Sequence, residues 1–252
     1  MEPFTAILAV SFCSFLLNNY GKSVVAFTYD KVQESLRYIF KGRNIAILGE
    51  KSSGKTSLIY FLQHGKPFEV KQNKVNRPEP TMGSVVIGAN VNLNSKGKKR
   101  AVRISNDVSG DKDFRDFWKD LIKDTNPHGI IYLLDGRLKP EDTKVAIAPI
   151  FTDILSCYSD KGGFDGVSNI ELKTLHIFIS YSDQWGTSDT IKTMKEAQVK
   201  LNYLSELSKE EHKYLRSMSI KFDVSIMNLS PNANNWDDTI RALTMFGLDV
   251  IK

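Results

Sequence analysis

Apolar residues recur along this chain in two rhythms, short continuous runs and stripes at helical spacing, and the two alternate from residue 44 onward. Asn44 to Leu48, Ile130 to Leu134, Leu175 to Ser180 and Phe222 to Met227 are short runs rich in β-branched and aromatic residues, as expected of strands covered on both faces of a parallel sheet. Val85, Ile87, Ala89, Val91 and Leu93 instead alternate with other residues, and Val102 and Ile104 do the same in a returning strand that ends at Asp107. Asn94 to Arg100 between them reads as a hairpin turn. Helices are expected over Thr56 to Leu62, over a segment with Phe114, Phe117, Trp118, Leu121 and Ile122 on one face, over Asp142 to Tyr158 interrupted by Pro149, over Asp189 to Leu207, and from Trp236 to Phe246. Asp30 to Phe40 is amphipathic, with Asp30 as its cap, Gln33 at the capping-box position and Val32, Leu36, Ile39 and Phe40 on one face. Gln63 to Pro80 and Gly162 to Ser168 read as loops, and no internal repeat is evident.

This alternation predicts an α/β fold, a mostly parallel sheet with helices on both faces and one antiparallel hairpin at an edge. It divides the chain into a hydrophobic segment over 1–28, an amphipathic linker helix over 29–43 and an α/β domain over 44–252.

The chemistry is concentrated where the first run gives way to the first helix. Gly49, Glu50, Lys51, Ser52, Ser53, Gly54, Lys55 and Thr56 fit G-x-x-x-x-G-K-[ST] at every fixed position, after a predicted strand and before a predicted helix. Gly49 and Gly54 let the backbone turn tightly, so that N–H groups and the positive end of the helix dipole converge on a phosphate. Lys55 would reach the β- and γ-phosphates, and the Thr56 hydroxyl would ligate Mg²⁺.

Composition narrows the picture. With 252 residues, 41% of them hydrophobic, the chain can bury one large core. The net charge of +5 is matched by Lys96, Lys98, Lys99, Arg100 and Arg103, which face no acidic residue between Glu79 and Asp107. That run is a solvated turn or a contact for anionic lipid or an acidic partner; without aromatic companions or a recognition motif it does not point to nucleic acid. Cys13 and Cys157 are far apart and the four histidines lack ligand spacing, so neither a disulfide framework nor a zinc site is implied. Phe4 to Leu17 is an uncharged apolar run of fourteen residues, followed by Lys22, Lys31, Arg37, Lys41 and Arg43. Glu2 and the lack of a preceding Lys or Arg argue against a cleaved signal peptide. As a membrane anchor the run would leave the positive residues, and the nucleotide-binding domain, on the cytoplasmic side; as a packed core segment it would not anchor anything.

Three further segments carry a resemblance. Pro80-Thr81-Met82-Gly83, Asp107-Val108-Ser109-Gly110 and the phosphate loop together resemble a Ras-like small GTPase, most of all the ADP-ribosylation-factor (Arf) branch and the β subunit of the signal-recognition-particle receptor. The resemblance implies a P-loop NTPase of Ras-like fold, spanning about Asn44 to Phe246, that binds GTP or GDP with Mg²⁺. It makes Thr81 a Mg²⁺ ligand that senses the γ-phosphate, and Val85 to Ile104 the hairpin between two switch segments. Asp107, at a strand end beside the cradle, is placed to bind the Mg²⁺ shell, and Gly110 lets a γ-phosphate approach its N–H.

The sequence departs from the family pattern in two places. Asp111 stands where the family has the glutamine that positions the attacking water. A carboxylate cannot donate as an amide does, and its charge would oppose the γ-phosphate by about 1 to 4 kcal/mol at ~4 Å, so the catalytic position predicts slow intrinsic hydrolysis. In the guanine-recognition motif Asp183 is retained to accept from the base, Ser180 replaces the asparagine, and Tyr181 replaces the lysine and would stack on the base instead. Ser230 lies in a weak counterpart of the last base-contacting loop. Guanine is the expected base, with adenine or loose selectivity left open.

Three functions fit: a membrane-associated GTP switch whose ordered loops recruit a protein effector or receptor subunit, a degenerate GTPase-fold scaffold with weak or no hydrolysis, and an ATP-using phosphotransferase. The last lacks a recognisable substrate lid and catalytic base. Glu2 occupies the place of the myristoylated glycine of a soluble Arf, which suits the receptor β branch and an endoplasmic reticulum location, whereas P-T-x-G suits Arf.

Overall fold

The computed structural model describes residues 43–64, 85–87, 102–104, 116–158, 171–181, 199, 219–230 and 237–251. The 1–28 segment and the 29–42 part of the linker helix lie outside the described residues, as do the rest of the hairpin, the Gly162 to Ser168 loop, the Gln63 to Pro80 loop apart from Gln63 and His64, which are helical, and all but one residue of the helix expected over Asp189 to Leu207. Among the described residues no helix is long and apolar enough to cross a membrane.

Six strands form one sheet: β1 (Asn44–Gly49), β2 (Val85–Ile87), β3 (Val102–Ile104), β4 (Gly129–Asp135), β5 (Thr174–Ser180) and β6 (Lys221–Ile226), in the order β2-β3-β1-β4-β5-β6. β2 and β3 pair antiparallel at one edge, and every other pairing is parallel. Among the described residues the expected Ras-like α/β architecture is therefore observed, with an antiparallel pairing of β2 and β3 at one edge.

Period-two alternation decides which side each strand residue faces. Ile45, Ile47, Ile131, Leu133 and Phe178 meet α1 (Lys55–His64) and α4 (Asp237–Ile251), the latter through Ile240, Leu243, Phe246 and Val250. Ala46, Leu48, Ile130, Tyr132, Leu134, Leu175, Ile177 and Ile179 meet α2 (Asp116–Thr125) through Trp118 and Ile122, and α3 (Pro140–Pro149) through Ala146 and Ile147. Each fully buried side chain of this size contributes about 1.5–3 kcal/mol of transfer free energy, so the runs of β1, β4 and β5 are buried because both sides are covered, whereas β6 at the edge is only half-buried.

Two helices differ from the sequence expectation. α3 ends at Pro149, where the interruption was expected, but the chain does not leave its helical course. The chain continues through a π turn over Ile150–Ile154, closed by the Leu155 N–H on the Ile150 carbonyl, and a 3₁₀ turn over Leu155–Tyr158. Proline has no N–H to donate and crowds the carbonyl one turn back. The wider turn absorbs that defect while Ile150, Ile154 and Leu155 stay buried. α3 also begins earlier than expected, with Pro140 in its first turn, where a missing N–H costs nothing. α4 runs on to Ile251 rather than stopping at Phe246, through Gly247. A Cβ on Gly129 would lie 2.6 Å from both Phe246 Cζ and Val250 Cγ2, so the bare backbone at the start of β4 lets the last turns of α4 settle against the sheet.

Candidate functional site

The carboxyl ends of β1, β4 and β5 meet where the strand order reverses, with β3 on one side of β1 and β4 on the other, the place where open α/β sheets bind ligands. The loop from β1 to α1 fills that place. Gly49 has φ +148° and Gly54 φ +99°, and Ser52 is left-handed as well at +63°. The two glycines serve different needs. A Cβ on Gly49 would lie 2.4 Å from the Leu133 carbonyl oxygen of the neighbouring strand, so that position tolerates no side chain. A Cβ on Gly54 would meet only Ser180, at 3.8 Å, so there the left-handed backbone alone asks for glycine.

The Ser53 N–H closes a turn on the Glu50 carbonyl at 3.3 Å, and the Leu58 N–H bonds the Gly54 carbonyl at 3.0 Å, which starts α1. As at every helix start, the first-turn N–H groups have no carbonyl within the helix to bond, and the macrodipole adds positive potential there. Lys55 is only 6% exposed, and its Nζ donates to the Gly49 carbonyl at 3.0 Å and the Glu50 carbonyl at 2.9 Å. Its ammonium thus lies over the mouth of its own loop, bonded to neutral acceptors that a phosphate oxygen surpasses in strength. Thr56 is half-buried in the first turn of α1, and Glu50 and Lys51 are the half-buried and exposed rim of the loop. Ser53 is fully buried, and its Oγ has no hydrogen-bond partner among the described residues.

The base-side residues reach the same loop. Ser180, at the end of β5, is buried against Gly54, and its Oγ donates to the Leu134 carbonyl at 3.1 Å. Tyr181 has φ +57°, and that turn out of the strand carries its Oη to the Ser52 carbonyl at 3.0 Å. Tyr181 is therefore joined to the phosphate loop itself. Ser230 is placed by a local frame: its N–H bonds Asn228 Oδ1 at 2.9 Å, while Thr239 Oγ1 donates to the Asn228 carbonyl at 2.7 Å and accepts the Asn228 N–H at 2.9 Å.

Two residues that sequence reasoning missed also belong here. Asp135 ends β4 next to the loop, and Arg137 donates to both its carboxylate oxygens, at 2.9 Å and 2.7 Å. Those bonds raise the guanidinium pKa above its ordinary value. The available signal was positional, since polar residues at the carboxyl end of a strand beside a phosphate loop fall within the ligand crevice.

Of the expected site residues, Gly49 through Thr56, Ser180 and Tyr181 are brought together. Ser230 follows β6 on its own frame. Thr81, Asp107, Gly110, Asp111 and Asp183 lie outside the described residues. The loop fits a phosphate on the strength of its positive-φ glycines and buried ammonium. For Mg²⁺, Thr56 is the described donor, and Thr81 and Asp107 would complete the set.

A second polar cluster sits at the amino ends of the strands. His176, Asp223 and Asp249 offer three ligand atoms within 4.8 Å of one another. Yet Lys221 Nζ already lies 2.5 Å from Asp249 Oδ2, and His176 Nδ1 has no partner among the described residues, whereas a metal-bound imidazole normally donates its second N–H. The cluster is an ion-pair network, with His176 Nε2 3.1 Å from the same carboxylate oxygen. Burial lowers the His176 pKa below its ordinary value against the opposing pull of Asp223 and Asp249. Because the carboxylate can only accept, the ring's Nε2–H donates to Asp249.

No protein-family model matches the chain, and no curated sequence is significantly similar to it. Solved structures with a similar course include an Arf-like GTP-binding protein, a small COPII coat GTPase from Encephalitozoon cuniculi in complex with GDP. It is 15% identical, with 91% of each chain covered and a TM-score of 0.47. The mammalian signal-recognition-particle receptor is 15% identical over 81% of this chain and 100% of that one, with a TM-score of 0.45. The corresponding GTP-bound receptor β complex from Chaetomium thermophilum is 12% identical over 82% and 97%, at 0.46. These are the two branches that the sequence motifs resemble. Likenesses this distant decide nothing about what the chain binds; that question rests on the site.

Proposed function

We propose that the chain binds a guanine nucleotide with Mg²⁺ in the loop between β1 and α1 and acts as a switch of the Arf or receptor β type. The observation that carries the reading is the seat of Lys55, buried on the Gly49 and Glu50 carbonyls where a β,γ-phosphate would displace them as acceptors. Ser180 and Tyr181, which lie against the same loop, support a base bound beside it. In this reading Asp183 accepts from the guanine edge, Ser230 lines the base from the far side, and Thr56, Thr81 and Asp107 hold Mg²⁺. When bound, Mg²⁺ neutralises phosphate charge. Thr81 and Gly110 then close on the γ-phosphate, and the two switch segments present a surface to a protein effector or receptor subunit. Asp111 makes intrinsic hydrolysis slow. Phe4 to Leu17 attaches the chain to a membrane with the nucleotide-binding domain in the cytoplasm, at the endoplasmic reticulum if the receptor β branch is the right one.

The substitutions at Ser180, Tyr181 and Asp111 support a second reading, a scaffold subunit that keeps its nucleotide without turning it over. Mass identification of the nucleotide released from the purified full chain, followed by titration with GTP, GDP and ATP with and without Mg²⁺, tests both. Mg²⁺-dependent guanine binding with slow turnover supports the switch. Tightly held nucleotide that neither exchanges nor hydrolyses supports the scaffold, and no binding at all contradicts both.

A further inference from the structure

Arg137 has no part in the reading above, yet it occupies the junction of three segments. Its Nε and Nη2 donate to the two carboxylate oxygens of Asp135 at 2.9 Å and 2.7 Å, with a second Nε contact at 3.2 Å, and its own backbone N–H donates to Asp135 Oδ1 at 2.9 Å. A bidentate pair of this kind fixes the plane of the guanidinium as well as its position. So held, its Cζ lies 3.9 Å from the centroid of the Tyr181 ring, within the range of a cation–π contact. Nη2 also reaches the Ser52 carbonyl at 3.4 Å, the oxygen that accepts from Tyr181 Oη at 3.0 Å.

We propose that Arg137 is a positioning residue for the nucleotide base: anchored on Asp135, it clamps the Tyr181 ring against the phosphate loop, so that the base platform and the phosphate cradle keep a fixed separation. This rests on the guanine-nucleotide reading of the site. Tyr181 leaves β5 with a left-handed backbone, a conformation unfavourable for a non-glycine residue that persists where surrounding contacts hold it. The guanidinium over the ring and the shared Ser52 carbonyl are such contacts. A lysine whose stem covers a base does that work within one side chain; here the work is divided between an aromatic ring that meets the base and a cation that orients the ring. The clamp acts on the base half of the ligand, while the phosphate half is held by Lys55 and the start of α1.

That division gives the test a readout that mere loss of stability would not move. The full chain is titrated with Mg²⁺·GDP and, separately, with inorganic tripolyphosphate, which has no base. Arg137→Ala is expected to weaken GDP about tenfold, as the ring loses its cation and its fixed orientation, and to leave tripolyphosphate within about twofold. Arg137→Lys keeps the charge but not the planar fork, and is expected to fall near the alanine variant. In a Tyr181→Leu background Arg137→Ala should add less than about twofold, because the residue acts through the ring. An unchanged GDP affinity in Arg137→Ala overturns the proposal. So does an equal loss for GDP and tripolyphosphate, which would make Arg137 a support of the cradle. A wild-type chain that binds no nucleotide removes the underlying reading along with it, and the wild-type titration run alongside distinguishes that failure from the others.

Discussion

Two lysines occupy opposite ends of the same sheet, and they are held in different ways. Lys221, at the amino ends of the strands, gives its charge to the buried Asp249 carboxylate, which also accepts from His176. Lys55, at the carboxyl ends, donates to two neutral backbone carbonyls of its own loop. A buried carboxylate is the strongest acceptor the interior offers, and breaking its pairing is costly. A carbonyl is a weaker acceptor than a phosphate oxygen, so exchanging one for the other favours binding. The first arrangement ties a buried carboxylate into the far end of the sheet, and the second sets an ammonium against the carbonyls of the loop where a phosphate would bind.

The largest expected effect comes from the loop side. Gly49→Ala would drive a Cβ to 2.4 Å from the Leu133 carbonyl oxygen on a positive-φ backbone. Strain and overpacking together should lower the unfolding free energy by about 4 kcal/mol, with nucleotide binding lost. Denaturant titration measures the first, and a stability change below about 1 kcal/mol would show that the loop yields. The network side comes next. Asp249→Ala leaves the His176 Nε2–H buried without its acceptor and Lys221 with only the more distant Asp223 carboxylate, 4.0 Å away, at a cost of about 3 kcal/mol. Nucleotide affinity should not change, because the network lies at the other end of the strands; a drop in affinity of tenfold or more would mean that the two ends are coupled.

A smaller effect is written in the pH dependence of stability. Burial is the leading cause that lowers the pKa of both His176 and His128 below the ordinary value of 6.5. His128 Nδ1 accepts the Asn44 N–H at 3.1 Å, a bond that protonation would remove. His176 Nδ1 has no acceptor for a second proton. As pH falls through 6.5 the unfolded chain takes up protons that the folded chain resists, so stability is full above 6.5 and declines below it. The slope is at most about 1.4 kcal/mol per pH unit for each histidine. Thermal unfolding between pH 7.5 and 5 checks this, and a stability that rises on acidification would reverse the assignment.

How much of this could be read from sequence follows from the range of the interactions. β1, β4 and β5 were legible because runs such as Asn44 to Leu48 and Ile130 to Leu134 owe their pattern to burial on both faces, a local property. The phosphate loop was legible because its motif is contiguous in sequence, although only Gly54 answers a local backbone demand and Gly49 answers the Leu133 carbonyl of the neighbouring strand. The length of α4 was not, because Gly247 is retained inside the helix by contacts of Phe246 and Val250 with Gly129, more than a hundred residues away. Nor was the course of the chain past Pro149, where burial of Ile150 and Ile154 prevails over the proline. The Arg137 and Tyr181 pair depends on β4 lying beside β5 and β1, and strand order does not appear in any one segment. His176 is one of four histidines without ligand spacing in the sequence, and its tie to Asp249 was out of reach for the same reason.

The most direct test sets the two lysines against each other in equilibrium titrations of the full chain with Mg²⁺·GTP. Lys55→Met should weaken binding about 100-fold, the equivalent of about 3 kcal/mol for charge-assisted contacts to phosphate, and Lys221→Met should leave it within about twofold while lowering stability. Equal affinities in wild type and Lys55→Met would contradict the claim that the loop after β1 is the phosphate site.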